Sequence, residues 1–288
     1  MRILLAPNFT RDKTADMLPK ICHTLYHAGV SVGMVPRGSS KEHSLELCKG
    51  AEPEIYSNME EAVEHYDCIL SVGGDGTMIH NAYYSAKYKK PLAGVNAGKL
   101  GFLCQIEPEN LTASLKLITD KCYQCEKRMA LRASFKGQKI PAMDFAINDI
   151  VVSKTPQSNI VDFEIYCNGK LIDRYRADGI IFSTPTGCTA YSLSAGGPLL
   201  DPVLDAILVV PLCPHSLGIR PIVFSASNQL SIRCPDSQLM LVGDGQKKVM
   251  LEPGTLITIE KSPLEAKFIT FRNTEFFEIL TAKFKQRG

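Results

Sequence analysis

No stretch of this sequence is apolar for long enough to cross a membrane. A spanning helix needs roughly 18 or more apolar residues, and the strongest candidate, Ala206 to Val210, stops at Pro211. The opening Met1-Arg2-Ile3-Leu4-Leu5-Ala6 halts at Pro7-Asn8, short of the apolar stretch and cleavage site of a secretory leader. Charge of one sign is also missing. The 32 Lys and Arg face 30 Asp and Glu, a net charge of +2, which argues against nucleic acid or an anionic membrane as a partner. The ten cysteines form no framework. With no export signal they are expected as reduced thiols in a cytoplasmic protein. Cys122-Tyr-Gln-Cys125 has metal-like spacing but no second ligand pair nearby. His23 and His27 lie one helical turn apart, but Thr24 stands where a zinc-protease signature needs Glu.

Several nucleotide and nucleophile motifs are absent too. Without Gly-x-Gly-x-x-Gly a hydride-transferring Rossmann enzyme is unsupported. Gly94-Val-Asn-Ala-Gly98-Lys99-Leu100 looks like a P-loop, but its glycine spacing is one residue short and Leu100 replaces the Mg²⁺-binding hydroxyl. No Gly-x-Ser-x-Gly elbow occurs in the hydroxyl-rich segment, which argues against an acyl-transferring serine. Cys188 has no base beside it in sequence and reads as a small packing residue.

What is present is an ordinary globular composition, 45% apolar and 22% charged over 288 residues, enough for two domains or one large one. The first part alternates short apolar strands with helical periods. Arg2 to Ala6, Val30 to Val35, Asp67 to Val72 and Pro91 to Val95 read as strands, while Asp12 to Ala28, Lys41 to Lys49, Met59 to Tyr66 and Gly76 to Lys89 read as helices. That order predicts a Rossmann-like parallel sheet in an α/β N-terminal domain over 1–120. From about 121 to 271 the apolar stretches are short and separated by turns. Asn168-Gly169 predicts a hairpin between Val161–Cys167 and Lys170–Tyr175, and Asp244-Gly245 another between Gln238–Val242 and Gln246–Leu251. Leu256 to Glu260 and Ala266 to Phe271 add two strands. This half reads as an all-β, sandwich-like domain, with helical periodicity only after Thr189. A tail over 272–288, helical from Glu275 to Gln286, packs back on the first domain.

Gly73-Gly74-Asp75-Gly76-Thr77 follows a strand and opens a helix. Glycines let backbone approach a bulky anion, and helix-start amides donate to phosphate oxygens. Asp75 then has two readings, both open here. It caps the helix, or it orients Mg²⁺ or accepts a proton from an attacking hydroxyl. Asn148-Asp149 offers a carboxamide and a carboxylate for ribose hydroxyls, or is a strand-end turn. The segment Arg176 to Gly197 is dense in hydroxyls and small residues around Asp178, Thr186, Thr189 and Tyr191. Such a stretch can ring a polar ligand, with the tyrosine stacking on a base.

Together these pieces resemble the NAD kinase (ATP-NAD kinase) family. The resemblance rests on five ordered segments: Gly73–Thr77, Asn96–Leu103, Asn148-Asp149, Arg176–Pro198 and Pro211–Leu217. The glycine loop alone is shared with lipid-type kinases. The series Thr184-Pro-Thr-Gly-Cys-Thr-Ala-Tyr-Ser-Leu-Ser-Ala-Gly-Gly197 is the specific part. The resemblance implies transfer of the ATP γ-phosphate to the 2′-hydroxyl of the adenosine ribose of NAD, giving NADP. It implies a divalent metal, Mg²⁺, carried through ATP, a homodimer or homotetramer, and the nucleotide at the domain junction. It makes Asp75 the general base and Gly73, Gly74, Gly76 and Thr77 the phosphate loop. It places NAD against Asp75, Gly76, His80, Asn148, Asp149, Arg176, Asp178, Thr186, Thr189, Ala190, Tyr191, Ser192, Leu193, Ser194 and Gln246. Three departures stand out: Asp149 is one methylene shorter than the usual Glu, Cys188 replaces a hydroxyl residue, and Met78 to Tyr84 differs from the usual helix start. Two other functions remain in play on the residues alone, a kinase of lipid or sugar hydroxyls and a non-catalytic dinucleotide sensor.

Overall fold

The apolar runs of the first third form strands because each is covered on both faces. In the computed structural model β1 (Arg2–Pro7), β2 (Ser31–Met34), β3 (Glu54–Ile55), β4 (Cys68–Gly73) and β5 (Pro91–Asn96) pair in parallel in the order β5-β4-β1-β2-β3. Every residue of β4 is buried, as parallel strands between helices must be. The connecting helices are α1 (Asp12–His27), α2 (Lys41–Leu47), α3 (Met59–Ala62) and α4 (Asp75–Tyr88), followed by α5 (Leu111–Thr119). The structure describes residues 1–10, 12–98, 101–136, 140–156, 158–216, 218–271 and 276–285.

The helical spacing of α1 puts Leu18, Ile21, Cys22 and Leu25 into one core with Ile3 and Leu5 of β1 and Leu70 of β4. Each such side chain contributes about 1.5–3 kcal/mol on burial. Gly29, at φ +67°, ends α1 in the left-handed conformation that glycine adopts without strain. The sequence reading left out α5. Its Leu111, Leu115 and Ile118 are buried at helical spacing, and the helix packs beside α1.

Two compact units divide the chain: residues 1–127 together with 266–288, and residues 128–265. The second unit is built of strands β6 (Gln124–Lys136), β7 (Met143–Ala146), β8 (Asp149–Lys154), β9 (Val161–Cys167), β10 (Lys170–Ala177), β11 (Gly179–Ser183), β12 (Ala206–Leu212), β13 (Ile222–Ser225), β14 (Leu230–Arg233), β15 (Leu239–Gly243), β16 (Lys247–Leu251) and β17 (Leu256–Thr270), with one short helix, α6 (Tyr191–Ser194). One antiparallel sheet runs β13-β12-β11-β8-β15-β16, and β10-β9-β14-β17 form another. Their facing side chains make one core: Ile150, Val152, Ile180 and Phe182 from the first, Phe163, Ile165, Ile232 and Ile257 from the second. On β11 the alternate residue, Ile181, points away and joins Val151, Cys188, Leu208 and Val210 under the Thr186–Gly197 segment. The period of two thus buries β11 on both faces.

Both hairpin turns are present. Asn168 and Gly169 have φ +50° and +79°, and Asp244 and Gly245 have +49° and +67°, the positive values that Asn-Gly and Asp-Gly accept. Two details differ from the sequence reading. Leu256 to Glu260 and Ala266 to Phe271 are one strand, β17, not two. The intervening Ser262 is buried and donates from Oγ to the Asp144 carbonyl at 2.6 Å while accepting from Leu264 N at 3.1 Å, so the polar stretch is tied down where a turn was expected. Helix after Thr189 amounts only to a 3₁₀ turn, Thr186–Thr189, and the single turn of α6. The last residues of β17 return to the first unit, where Lys267 and Phe268 pair in parallel with Pro91 and Leu92 of β5. The closing helix α7 spans Phe276–Lys285, and the expected ends Glu275 and Gln286 lie outside the described residues.

Candidate active site

In the first unit the glycine loop joins β4 to α4. The N-cap of α4 is Gly74, and no side chain caps the helix. Asp75 is therefore not a cap, which closes one of its two readings. Its carboxylate instead accepts from Phe102 N at 2.8 Å and Leu103 N at 3.0 Å. This brings together two segments that are separate in sequence. Ala97 N also donates to Gly73 O at 2.7 Å, and Asn96 Oδ1 accepts from Gly98 N at 3.0 Å. Asn96 Nδ2 bonds both oxygens of Glu107, at 3.1 and 3.0 Å. Burial pushes the Glu107 carboxyl above its usual range, against the pull of that amide. Lys99 and Leu100 of the same loop lie outside the described residues.

Glycine is required at two places here. A Cβ on Gly101 would run into the Asp75 carboxylate, and one on Gly73 would run into the Thr77 hydroxyl. Gly74 and Gly76 differ, because a Cβ on either meets nothing within 4 Å. Their absent side chains leave the start of α4 open, where backbone N–H groups and the helix dipole favour an anion. Thr77 is buried and accepts at 3.1 Å from Asn8 Nδ2, just past β1. His80 follows one turn later and lines a cavity beside Thr77.

In the second unit the Asn148-Asp149 pair sits at the start of β8, clamped from two sides. Asp244 accepts three backbone N–H bonds, from Ile147 at 2.8 Å, Asn148 at 2.7 Å and Asp149 at 3.2 Å. From the other side Thr184 donates through Oγ1 to Ile147 O at 2.6 Å and through N to Asn148 O at 2.9 Å. The approach is so close that a Cβ on Gly187 would strike the Asn148 backbone. A cavity of about 500 Å³ opens here, lined by Asn148, Asp149, Ala190, Tyr191, Asp244 and Gly245 among others. That volume lies within the usual range of small-molecule sites. Burial, and then the nearby Asp244, push the Asp149 carboxyl up to about 7. Burial also raises Asp244, against the opposing effect of its three amide donors.

The remaining sequence-predicted residues fall around this cavity or away from it. Tyr191 is half exposed at its wall, available for stacking. Thr189 and Leu193 are partly buried and Ser194 exposed. Thr186 is buried and accepts from Arg128 Nη1 at 3.2 Å. Ser192 is fully buried with its Oγ against Gly197, off the cavity wall. Asp178 pairs with Lys154 at 2.8 Å. Arg176 is exposed, and its carbonyl accepts from His215 N at 2.9 Å. Gln246 is exposed in the turn after Asp244. The Cys188 thiol accepts from Leu200 N at 3.2 Å, the kind of bond a hydroxyl would make there. The sequence reading missed Asp244 as a clamp and Asn8 as the support of Thr77. An Asp-Gly turn was the only signal for the first, and a polar residue ending an apolar strand the only signal for the second.

Residues 3–123 match the model of the ATP-NAD kinase N-terminal domain, and residues 147–271 match that of the ATP-NAD kinase C-terminal domain. An NAD kinase of Clostridium botulinum (strain Loch Maree / Type A3) is 38% identical over 251 residues, 84% of this chain and 88% of its own. One from Moorella thermoacetica is 37% identical over 80% of this chain and 74% of its own. Among solved structures, an NAD kinase from Archaeoglobus fulgidus in complex with ATP superposes with a TM-score of 0.75 at 29% identity, covering all of both chains. Yeast NADH kinase complexed with NADH gives 0.84 at 23% identity, over 98% of this chain and 86% of its own, a likeness of fold. Two domain models in the right order, with the glycine loop in one and the Asn148-Asp149 cavity in the other, leave one assignment: the chain belongs to the NAD kinase family of phosphotransferases.

Proposed function

We propose that the chain transfers the γ-phosphate of ATP to the 2′-hydroxyl of the adenosine ribose of NAD, with Asp75 as general base. The observation that carries the role of Asp75 is its carboxylate, held by the Phe102 and Leu103 amides beside the open backbone of Gly74 and Gly76. Each oxygen spends one acceptor position on an amide and keeps another for a hydroxyl proton. As the 2′-oxygen bonds to the γ-phosphorus, the bond to the β-phosphate oxygen breaks and ADP leaves. The hydroxyl proton passes to Asp75, while loop amides spread the charge growing on the equatorial oxygens.

The acceptor half rests on the second-unit cavity. Asn148 and the raised Asp149 offer a carboxamide and a carboxyl for ribose hydroxyls, and Tyr191 offers a face for adenine. Thr186, Thr189, Ala190, Ser192, Leu193 and Ser194 shape the segment that carries Tyr191. Gln246, Arg176, Asp178 and His80 are assigned to NAD on the family resemblance. No group of three or more His, Cys, Asp or Glu suited to a metal occurs among the described residues. Mg²⁺ would enter with the ATP substrate, which suits an ion that keeps its waters and binds through phosphates, and would neutralise charge on those phosphates. No helix of the described residues is long and apolar enough to cross a membrane. We assign the chain to the cytoplasm as a homodimer or homotetramer, on the family resemblance and on cysteines that are all free.

The test is NADP formation from ATP, Mg²⁺ and NAD. The Asp75→Asn protein is expected to bind NAD as the parent does and to lose about 10²–10⁴-fold in turnover. Parental turnover in a folded, saturated Asp75→Asn protein would remove the base assignment. Tight NAD binding with no NADP from the parent would favour a sensor, and phosphorylation of a lipid or sugar instead would favour the other kinase class.

A further inference from the structure

We propose that α7 is a clamp on Asp75: its Phe276 and Lys283 fix the Phe102 ring, and through it the backbone that grips the Asp75 carboxylate. The inference rests on Asp75 as the base and adds positioning residues far from it in sequence. All the parts belong to the first unit. Two consecutive amides hold Asp75, Phe102 N on Oδ2 at 2.8 Å and Leu103 N on Oδ1 at 3.0 Å. Both follow Gly101, and glycine loses more backbone freedom on ordering than any other residue. Anchored side chains next to it offset that freedom. Leu103 is anchored by its own burial. Phe102 is only partly buried, so its ring depends on partners that reach it from outside the loop.

α7 supplies those partners. Phe276, Leu280 and Lys283 recur at i, i+4 and i+7, one stripe of the helix. Leu280 is buried and roots the stripe. The Phe276 ring lies 6.4 Å from the Phe102 ring, tilted by 40°, a separation at which aromatic pairs attract. Lys283 Nζ stands 3.5 Å from the centre of the same Phe102 ring, a cation–π contact that strengthens as water is excluded. The ammonium also acts close to Asp75. Burial, and then the Asp75 charge, push the Cys104 thiol well up, while Lys283 opposes them. Phe276 and Lys283 are therefore positioning residues that act on Asp75 through Phe102.

Kinetics and amide exchange on the full chain test the clamp. The Lys283→Met protein loses the charge and keeps the length of the side chain. It is expected to show kcat lowered about fivefold or more, with KM for ATP and for NAD within about twofold of the parent. Lys283→Arg puts a cation back over the ring and should recover most of the rate. In a Phe102→Leu background, where the ring is gone, Lys283→Met should cost nothing further. Amide exchange over residues 101–103 in the ligand-free protein should speed up in Lys283→Met and stay parental in Lys283→Arg. Parental kcat in Lys283→Met, an equal loss in the Phe102→Leu background, or unchanged exchange over 101–103 would each overturn the clamp. So would a raised KM for ATP at parental kcat, which would make Lys283 a phosphate contact. A parent that makes no NADP while the exchange results hold would defeat the kinase reading and leave the clamp standing.

Discussion

Asp149 and Asp244 are two carboxyls buried at one cavity, and they do different work. Asp244 accepts the three N–H groups of residues 147–149, while Asp149 keeps its side chain for a ligand. Burial lifts Asp149 from the ordinary 3.8 of an aspartate to about 7. A raised carboxyl pKa means that the folded state prefers the proton. Its contribution to stability is complete below about pH 4 and is lost as pH rises through about 7. Ribose hydroxyls donating to the ionised form reverse that preference. NAD affinity is thus expected to strengthen as pH rises, by up to about tenfold per unit below pH 7, and to level off above it. Titration calorimetry across that range checks this, and the Asp149→Asn protein should give a flat, weaker profile. The Asp244→Ala protein strands buried N–H donors at about 1–3 kcal/mol each. It should lose at least about 2 kcal/mol in denaturant unfolding and weaken NAD more than ATP. Asp75, Asn148 and Asp149 were singled out in the sequence because each sits in a motif. Asp244 was not, since an Asp-Gly turn says nothing about which distant amides its carboxylate will reach.

Among the elements, the loop between β5 and α5 governs the one between β4 and α4. Gly101 is the contact point, where any Cβ meets the Asp75 carboxylate. The Gly101→Ala protein should lose turnover by about tenfold or more through displacement of Asp75, with NAD affinity unchanged; kcat and KM measured separately decide it. In the second unit Glu164 ties three strands together. It accepts from Tyr166 Oη at 2.7 Å, from Arg233 Nε at 2.6 Å and from Arg174 Nε at 3.2 Å. The Tyr166 hydroxyl first, and then Arg233, hold its carboxyl down at about 2. A depressed carboxyl adds stability that is present above its unfolded value, near 4.5, and lost as pH falls through about 2. The Glu164→Gln protein should show a shallower loss of stability with acid over that window, followed by circular dichroism. Most strand and helix positions in the first unit were readable because period and punctuation agreed, but α5 and the two-residue β3 were left out. The single strand β17 was not, because its polar middle reads as a turn until Ser262 finds the Asp144 carbonyl.

For the whole molecule, the adenosine side of NAD is assigned to the second-unit cavity and the ATP phosphates to the glycine loop, so each should protect its own segment. NAD is expected to slow amide exchange around residues 147–151 and 240–245, and an unreactive ATP analogue around 73–77. A ligand at one hundred times its Kd should add about 2.7 kcal/mol to the stability of the unit it binds. Hydrogen exchange with each ligand alone checks both statements. The change from alternating helices and strands to short strands was visible in the sequence, because the two architectures demand different hydrophobic periods. The return of the chain to its first unit was not, because pairing between Lys267 and Pro91 leaves no local trace.

That return sets an order of events during synthesis. The segment that completes the parallel sheet beside β5 leaves the ribosome only after the whole of the second unit. Until then the outer side of β5 at Pro91 and Leu92 lacks that neighbour, an exposed strand edge of the kind that invites pairing with other chains. The second unit can close on its own contacts while the first still waits for its last strand. A nascent chain stalled before Ala266 would carry a glycine loop on an unfinished sheet, and helpers that shield unpaired edges should be needed most at that length.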